Sequence, residues 1–479
     1  MKTKTLFPLG KFFKKISWKR WLCLLLLCYL GALVIPYLPH KKVSPSDKAH
    51  FSKRTFQQSG QGSERISYID DNTDALLYRL RMLQDAKEEV ILSTFDFNAD
   101  QAGKDILSAL LKTADRGVTV KIIVDGFSGL LDLRHNDWFK SLAAHEKVSI
   151  KVYNPIHFLK PWKMQARLHD KYLIIDRKMY LLGGRNTTNL FFGNYTRAQN
   201  IDRELFVCES KENSTDSSVS QLLDYFAQIW NLPDSKDYLC SSLTPEISEK
   251  QDWLHRHYRT LKTAYTEAFH PWNWEEKTFS TNKVSLLTNP VEAENKSPWM
   301  WYSLHQLMTG GKQVTIYTPY IICGKEMYQD LHALTTGGTD LEIITNDVAS
   351  GANPWGCTDY LNQKKNIHAT GAKVYEFMGT HSCHTKAVLI DENLSVIGSY
   401  NLDMRSTYQD TELMLVVDSP KLNAMIRQEA ARDKTYSKIQ TAENEYTYGE
   451  NYHAKPMSAG KKIFYGLFRV IVMPIRRFL

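Results

Sequence analysis

Read for the spacing of its apolar and polar positions, the chain opens on one apolar run and then alternates helix-like and strand-like segments. Trp21–Leu38 is eighteen residues without a charge, inside the roughly 17–25 that a bilayer-spanning helix needs. Nothing like Ala-x-Ala follows it, and Leu25-Leu26-Leu27 lacks the small residues of a lipoprotein site before Cys28. An uncleaved membrane helix is therefore expected over 21–38. Residues 39–65 are polar and read as a tether. From Ile66 the period keeps changing. Apolar Ala75, Leu76, Leu77, Leu80, Met82 and Leu83 predict a helix over Asp74–Lys87, and Val90–Thr94 a buried strand. Lys104–Arg116 then reads as a helix closed by Gly117, and Val118–Val124 as a strand. Short links between such elements predict an α/β fold.

The second half answers the first. Val314–Thr318 matches the strand at Val90, and Leu341–Thr345 the strand ending at Val124. Gly324-Lys325 and Gly338 match Gly103-Lys104 and Gly117 at one constant offset. This is a tandem duplication, with repeats expected at 66–235 and 281–440. Residues 236–280 match neither repeat and are expected to connect them. Residues 441–479 form a tail whose end, Lys461–Leu479, predicts a basic amphipathic helix at a membrane surface, burying Phe464, Leu467, Phe468 and Ile471.

The candidate chemistry lies on the duplicated part. His169-x-Lys171-x4-Asp176 is followed by Gly183-Gly-Arg-Asn186, and His384-x-Lys386-x4-Asp391 by Gly398-Ser-Tyr-Asn401, in register 215 positions apart. Histidine titrates near neutrality and can attack phosphorus or move a proton. A lysine two residues on shares its strand face, and its charge with the Asn186 or Asn401 amide suits phosphoryl oxygens. Asp176 and Asp391, seven residues from their histidines, complete the motif but read as structural charges. Glu204 and Glu412 follow the two motifs as candidates for orienting the histidines. Tyr172–Ile175 and Ala387–Ile390 are apolar throughout, as strands covered on both faces are. The loop between Asn154 and Arg167, rich in aromatic and basic residues, reads as a covered connection or a lipid entrance.

Composition narrows the classes. With 43% hydrophobic and 23% charged residues the chain is a folded protein. Its net charge is +8, but residues 1–20 carry seven basic side chains and 461–479 five, with no acid in either segment. Removing these twelve charges leaves the body at −4, which argues against nucleic acid and for a membrane surface. None of the seven cysteines forms a Cys-x-x-Cys pair, so neither a zinc site nor a disulfide framework is expected. The seven positive charges at 1–20, against Lys41 and Lys42 beyond the apolar run, place the N-terminal segment in the cytoplasm and the body outside.

At the two motifs the chain resembles the phospholipase D superfamily, and Gly398-Ser-Tyr-Asn-Leu-Asp-Met-Arg-Ser406 with Glu412 is similar to its cardiolipin synthase branch. The resemblance covers roughly residues 66–440. It implies a tandem pair of phospholipase D-type domains, each a mixed sheet flanked by helices. It also implies His169 and His384 as the catalytic pair, Lys171, Lys386, Asn186 and Asn401 around the phosphate, a phosphohistidine intermediate, and no metal or cofactor. Asp170 beside His169 departs from Thr385 in the other copy. The activity implied is transfer of a phosphatidyl group to phosphatidylglycerol, with phosphatidylethanolamine as a second possible lipid; with water as acceptor the same chemistry makes a hydrolase or a nuclease.

Overall fold

The computed structural model describes residues 17–209, 217–240, 242–442 and 445–479. Each half is built on a nine-stranded mixed sheet. In the first, Glu89–Thr94, Thr119–Asp125 and Val148–Tyr153 run parallel. Tyr172–Ile175, Met179–Gly183, Glu204–Glu209 and Glu64–Ile69 follow antiparallel on one side. The second repeats the plan. Gln313–Tyr317, Asp340–Asn346 and Lys373–Phe377 are parallel, and Ala387–Ile390, Leu394–Gly398, Leu413–Asp418 and Lys283–Thr288 follow.

The predicted elements form within a few residues of their expected bounds. The helix expected at Asp74 begins at Asn72, because the Asp71 side chain accepts from the Thr73 and Asp74 N–H groups. The next helix spans Gln101–Asp115, capped by Asp100. Gly117 and its counterpart Gly338 sit at φ +91° and +92°, a left-handed stop at which a side chain would be strained.

The two sheets share one core. Ile91, Tyr172, Ile174 and Leu205 of the first pack in one buried cluster with Tyr317, Ile344, Leu389 and Leu415 of the second. Helices Ser218–Trp230 and Pro420–Thr435 contribute Leu222, Phe226, Leu422 and Ile426 to that cluster. The stretch 236–280 does more than connect. Its helix Pro245–Ala264 lays Leu254, Tyr258 and Leu261 on the first core, and Phe279–Ser280 adds an edge strand beside Glu64–Ile69.

Among the described residues one helix is long and apolar enough to cross a membrane, Trp18–Tyr37. It starts three residues before the charge-free run and takes Lys19 and Arg20 into its first turn. The basic residues Lys2, Lys4, Lys11, Lys14 and Lys15 lie outside the described residues. The expected tether is instead fixed to the body. Tyr37, just ahead of it, is fully buried; within it Pro45–His50 is helical, and the Phe51 ring meets Trp299 and Tyr302. Its polar residues face water while these few aromatics hold it, which composition alone does not reveal. The last helix, Ala459–Ile475, packs Tyr465 and Val472 on the second half and sets Phe468 against Trp355. Phe464, Leu467 and Ile471 remain exposed.

Candidate active site

Four apolar residues make Tyr172–Ile175 and Ala387–Ile390 buried central strands, so the histidine and lysine just before each strand emerge where the halves meet. There the halves are stitched together. Ser382–Cys383 pairs with Asn200–Ile201 of the other half, and the His384 N–H donates to the Ile201 carbonyl at 2.7 Å. Reciprocally, the Thr411 N–H donates to the Arg167 carbonyl, and the His169 N–H to Thr411 Oγ1 at 3.1 Å. Each stitch carries a carboxylate across. His169 Nδ1 is hydrogen-bonded to Glu412 Oε1 at 2.9 Å, and His384 Nδ1 to Asp202 Oδ2 at 2.7 Å.

Glu204 is therefore not the residue that holds a histidine; Asp202 is. The Glu204 side chain takes two hydrogen bonds from Arg79, both 2.7 Å, and faces Arg185 Nε at 3.4 Å. Sheet register explains the slip. Gly183 pairs with Glu204, whereas Gly398 pairs with Met414, so two residues earlier Asp202 and Glu412 hold the same place. Asn186 precedes Asp202 by sixteen residues, while Asn401 precedes Glu412 by eleven. The only sequence signal was a second acid two positions before Glu204. The shorter Asp202 side chain comes with Gly184, where a Cβ would lie 2.5 Å from Asp202 Oδ2. In the other half Ser399 stands at that place and its hydroxyl donates to Glu412.

Burial and neighbouring charge set the protonation of the site. Burial pushes Lys171 down to about 7 against the pull of Glu412, and Lys386 down to about 8 against that of Asp202. Burial, then Lys386, brings His384 to about 3, and burial with Lys171 holds His169 well below its ordinary value. Each lysine also acts on the other half's histidine, so both motifs face one space. The carboxylates differ. Burial works against an ionised Asp202, but Lys386 and the bond to His384 outweigh it and hold its pKa low. Burial wins at Glu412, which rises to about 8.

Lys171 Nζ reaches the His169 carbonyl at 2.5 Å, and Lys386 Nζ lies 2.9 Å from His384 Nε2. Phe95 and Phe191 set ring edges against His169 and His384. Among the described residues the Oδ1 atoms of Asn186 and Asn401 are buried without a hydrogen-bond partner, so each can still accept from a ligand hydroxyl, while the Nδ2 groups are the donors that suit phosphoryl oxygens. Asp176 and Asp391, written into the motif with the catalytic residues, stand at the far end of their strands. Asp176 takes the N–H groups of Lys87, Glu88 and Glu89 at 2.8–3.0 Å, and Asp391 those of Lys312 and Gln313. Both adopt φ of 50°. Asp170 is buried between the hydroxyls of Tyr225 and Thr411, at 2.8 and 2.7 Å. Its carboxyl rises to about 7 through burial.

Two α/β halves that share one core and exchange their acids across a duplicated His-x-Lys motif define a protein of the phospholipase D superfamily. More narrowly, the chain belongs to the family described as "Cardiolipin synthase, PLD-like domain", which matches residues 80–230 and 304–434. It is 23% identical to cardiolipin synthase C of Escherichia coli K12 over 407 residues, 75% of this chain and 82% of that protein. Over 397 residues it is 24% identical to an uncharacterized protein of Helicobacter pylori 26695, covering 75% of this chain and 77% of that one. The crystal structure of phosphatidylserine synthase from Haemophilus influenzae Rd KW20 has the same fold, with a TM-score of 0.62 at 15% identity, over 86% of this chain and 95% of that one.

Proposed function

We propose that the protein is a membrane-anchored phosphatidyl transferase that makes cardiolipin from phosphatidylglycerol through a phosphohistidine intermediate. The observation that carries this reading is the reciprocal pair of histidine–carboxylate contacts, with a buried lysine from each half beside them. Each carboxylate orients its imidazole through Nδ1 and turns Nε2 to the shared space. One histidine attacks phosphorus, and the P–O bond to the departing glycerol breaks as the other histidine protonates that oxygen. This other histidine enters the step as imidazolium, once the bound phosphodiester offsets the burial and the lysine charges that depress its pKa. The second histidine then takes the proton of an acceptor hydroxyl, whose oxygen displaces the first histidine from phosphorus. Lys171, Lys386, Asn186 and Asn401 hold the phosphoryl oxygens, so the chemistry requires no metal or cofactor.

The substrates are phosphatidylglycerol and, as an alternative donor, phosphatidylethanolamine; the anionic body disfavours nucleic acid. Trp18–Tyr37 is the anchor in the cell membrane. Purified protein incubated with phosphatidylglycerol, with and without phosphatidylethanolamine, should yield cardiolipin and glycerol by mass spectrometry. Phosphatidic acid as the sole lipid product would make the protein a hydrolase instead.

A further inference from the structure

Shortly before Leu168-His169 the chain forms a loop, residues 155–165, that carries Phe158, Leu159 and Trp162 into the open, Leu159 being 81% exposed. The loop is not loose. Asn154 Nδ2 donates to the carbonyls of Lys163 and Ala166, Lys163 Nζ binds Asp234 at 2.5 Å, and Arg405 donates to the Gln165 carbonyl at 2.7 Å. Its turn Pro161–Lys163 packs on the apolar helix, where the Tyr29 hydroxyl donates to Met164 Sδ at 3.8 Å. Tyr29 precedes the buried Tyr37, where that helix meets the body, by eight residues. At 1.5 Å per residue the loop therefore meets the helix about 12 Å before Tyr37, within its apolar run.

Two more observations point to the same occupant. At the base of the loop a cavity of about 110 Å³ is lined by Asn154, His157, Lys160, Lys163, Asp234 and Lys236. It is a basic setting for an anionic headgroup beneath an apolar tip. On the other flank Arg477 donates to the carbonyls of Tyr37 and Pro39. The last helix thus leaves from the same point, with Leu467 and Val470 exposed.

We propose that the loop 155–165 enters the bilayer beside the anchoring helix and delivers anionic lipid sideways to His169, while the last helix lies on the same membrane face. The delivery role rests on the phosphatidyl-transfer reading; the insertion does not. Full-length protein, with Cys23, Cys28 and Cys240 changed to Ser, would carry an environment-sensitive fluorophore at Leu159→Cys in phosphatidylglycerol nanodiscs. Spin labels on lipid acyl chains should quench it and aqueous iodide should not. Leu239→Cys, just past the far end of the edge strand Ser235–Tyr238 that begins beside Asp234, should give the reverse. Iodide quenching at 159 as strong as at 239 would overturn the insertion. Leu159→Asp combined with Trp162→Asp should lower turnover of bilayer lipid roughly tenfold or more, the insertion of two carboxylates being unfavourable. It should leave turnover of a short-chain lipid dispersed in solution within about twofold. Equal loss on both lipids would overturn the delivery role. A wild-type chain that turned over neither lipid, yet kept position 159 shielded from iodide, would retire the transferase reading and support the insertion.

Discussion

His384 Nδ1 lies 2.7 Å from Oδ2 of Asp202, a carboxylate that belongs to the other half of the molecule. Its mirror, His169 with Glu412, makes the exchange reciprocal. Neither half holds a complete site, so the duplication has become one indivisible unit. The two carboxylates nevertheless differ in charge, since Lys386 keeps Asp202 ionised while burial raises Glu412 to about 8. Glu412→Gln resembles the protonated acid and should cost less than about tenfold in kcat. Asp202→Asn removes a charge and disturbs the imidazole tautomer, a change worth about 10⁴ in kcat in a comparable triad. Glu204→Gln should weaken folding through Arg79 and leave the pH profile of kcat unmoved. Steady-state kinetics of the three variants, with thermal denaturation alongside, separates these outcomes; equal losses for Asp202→Asn and Glu412→Gln would contradict the charge assignment.

Each histidine acts in both half-reactions of the proposed mechanism. His169→Ala and His384→Ala should therefore each lose far more than the ~10²–10⁴-fold usual for a general acid–base alone. Quenched reactions with phosphorus-labelled lipid should show an acid-labile, base-stable protein label in wild type. Near-normal product formation by either variant would end the two-histidine scheme.

Much of this arrangement could be read from the chain because duplication doubles every local signal. The His-x-Lys pairs stand before strands whose bounds, Tyr172–Ile175 and Ala387–Ile390, were visible as apolar runs. Gly117 and Gly338 marked helix ends through a backbone angle that only glycine adopts freely. Asp202 was missed because the loop after Asn186 is five residues longer than the one after Asn401, and alignment by residue type slid onto Glu204. Phe51 and Phe56 pack on the second core and fix a segment that polar composition presented as a tether, since a few packed aromatics outweigh many solvated neighbours. Cross-half contacts depend on sheet register over more than 180 residues, which no local pattern encodes.

Asp176 closes the far end of its strand by taking three backbone N–H groups. Asp176→Ala leaves those donors without this acceptor. Hydrogen bonds to a charged group contribute about 1.5–3 kcal/mol, so the variant should lose on that order in chemical denaturation. The remaining folded fraction should turn over normally, because the side chain sits roughly seven strand residues, about 23 Å of extended chain, from His169. A kcat reduced a hundredfold with unchanged stability would return Asp176 to the catalytic set.

The lysines make anion binding depend on pH. Burial brings Lys171 to about 7 and Lys386 to about 8, so both are charged below those values and lose their charge as the pH rises through them. Sulfate keeps its own charge across this range. Its affinity, measured by calorimetry, should therefore fall as the pH is raised from about 6 to 9, with the midpoint displaced upward because a bound anion favours the protonated lysines. Lys171→Met should weaken binding most at low pH and flatten the profile. A sulfate affinity independent of pH in wild type would show that these lysines do not face the anion.

The apolar helix joins the body at its Tyr37 end, where Tyr37 is fully buried and Arg477 holds its carbonyl. With that helix as the proposed anchor, the body lies on the side of the membrane to which Tyr37 emerges. Seven basic residues, Lys2 to Arg20, precede the run, against Lys41 and Lys42 after it, and Lys41 is paired with Glu294 at 2.9 Å. The side with more lysine and arginine stays in the cytoplasm, so the body should face outward, with the last helix on the outer leaflet where anionic lipid attracts Lys461, Lys462 and Arg469. Deleting 461–479 tests that attraction apart from orientation. It should weaken binding of detergent-purified protein to anionic vesicles, more at low salt than at high. For orientation, spheroplasts of a Gram-negative host expressing the full chain should lose the body to added protease while a cytoplasmic marker survives. A body that stayed intact until the cytoplasmic membrane was breached would reverse the topology and place the transfer reaction on the inner leaflet.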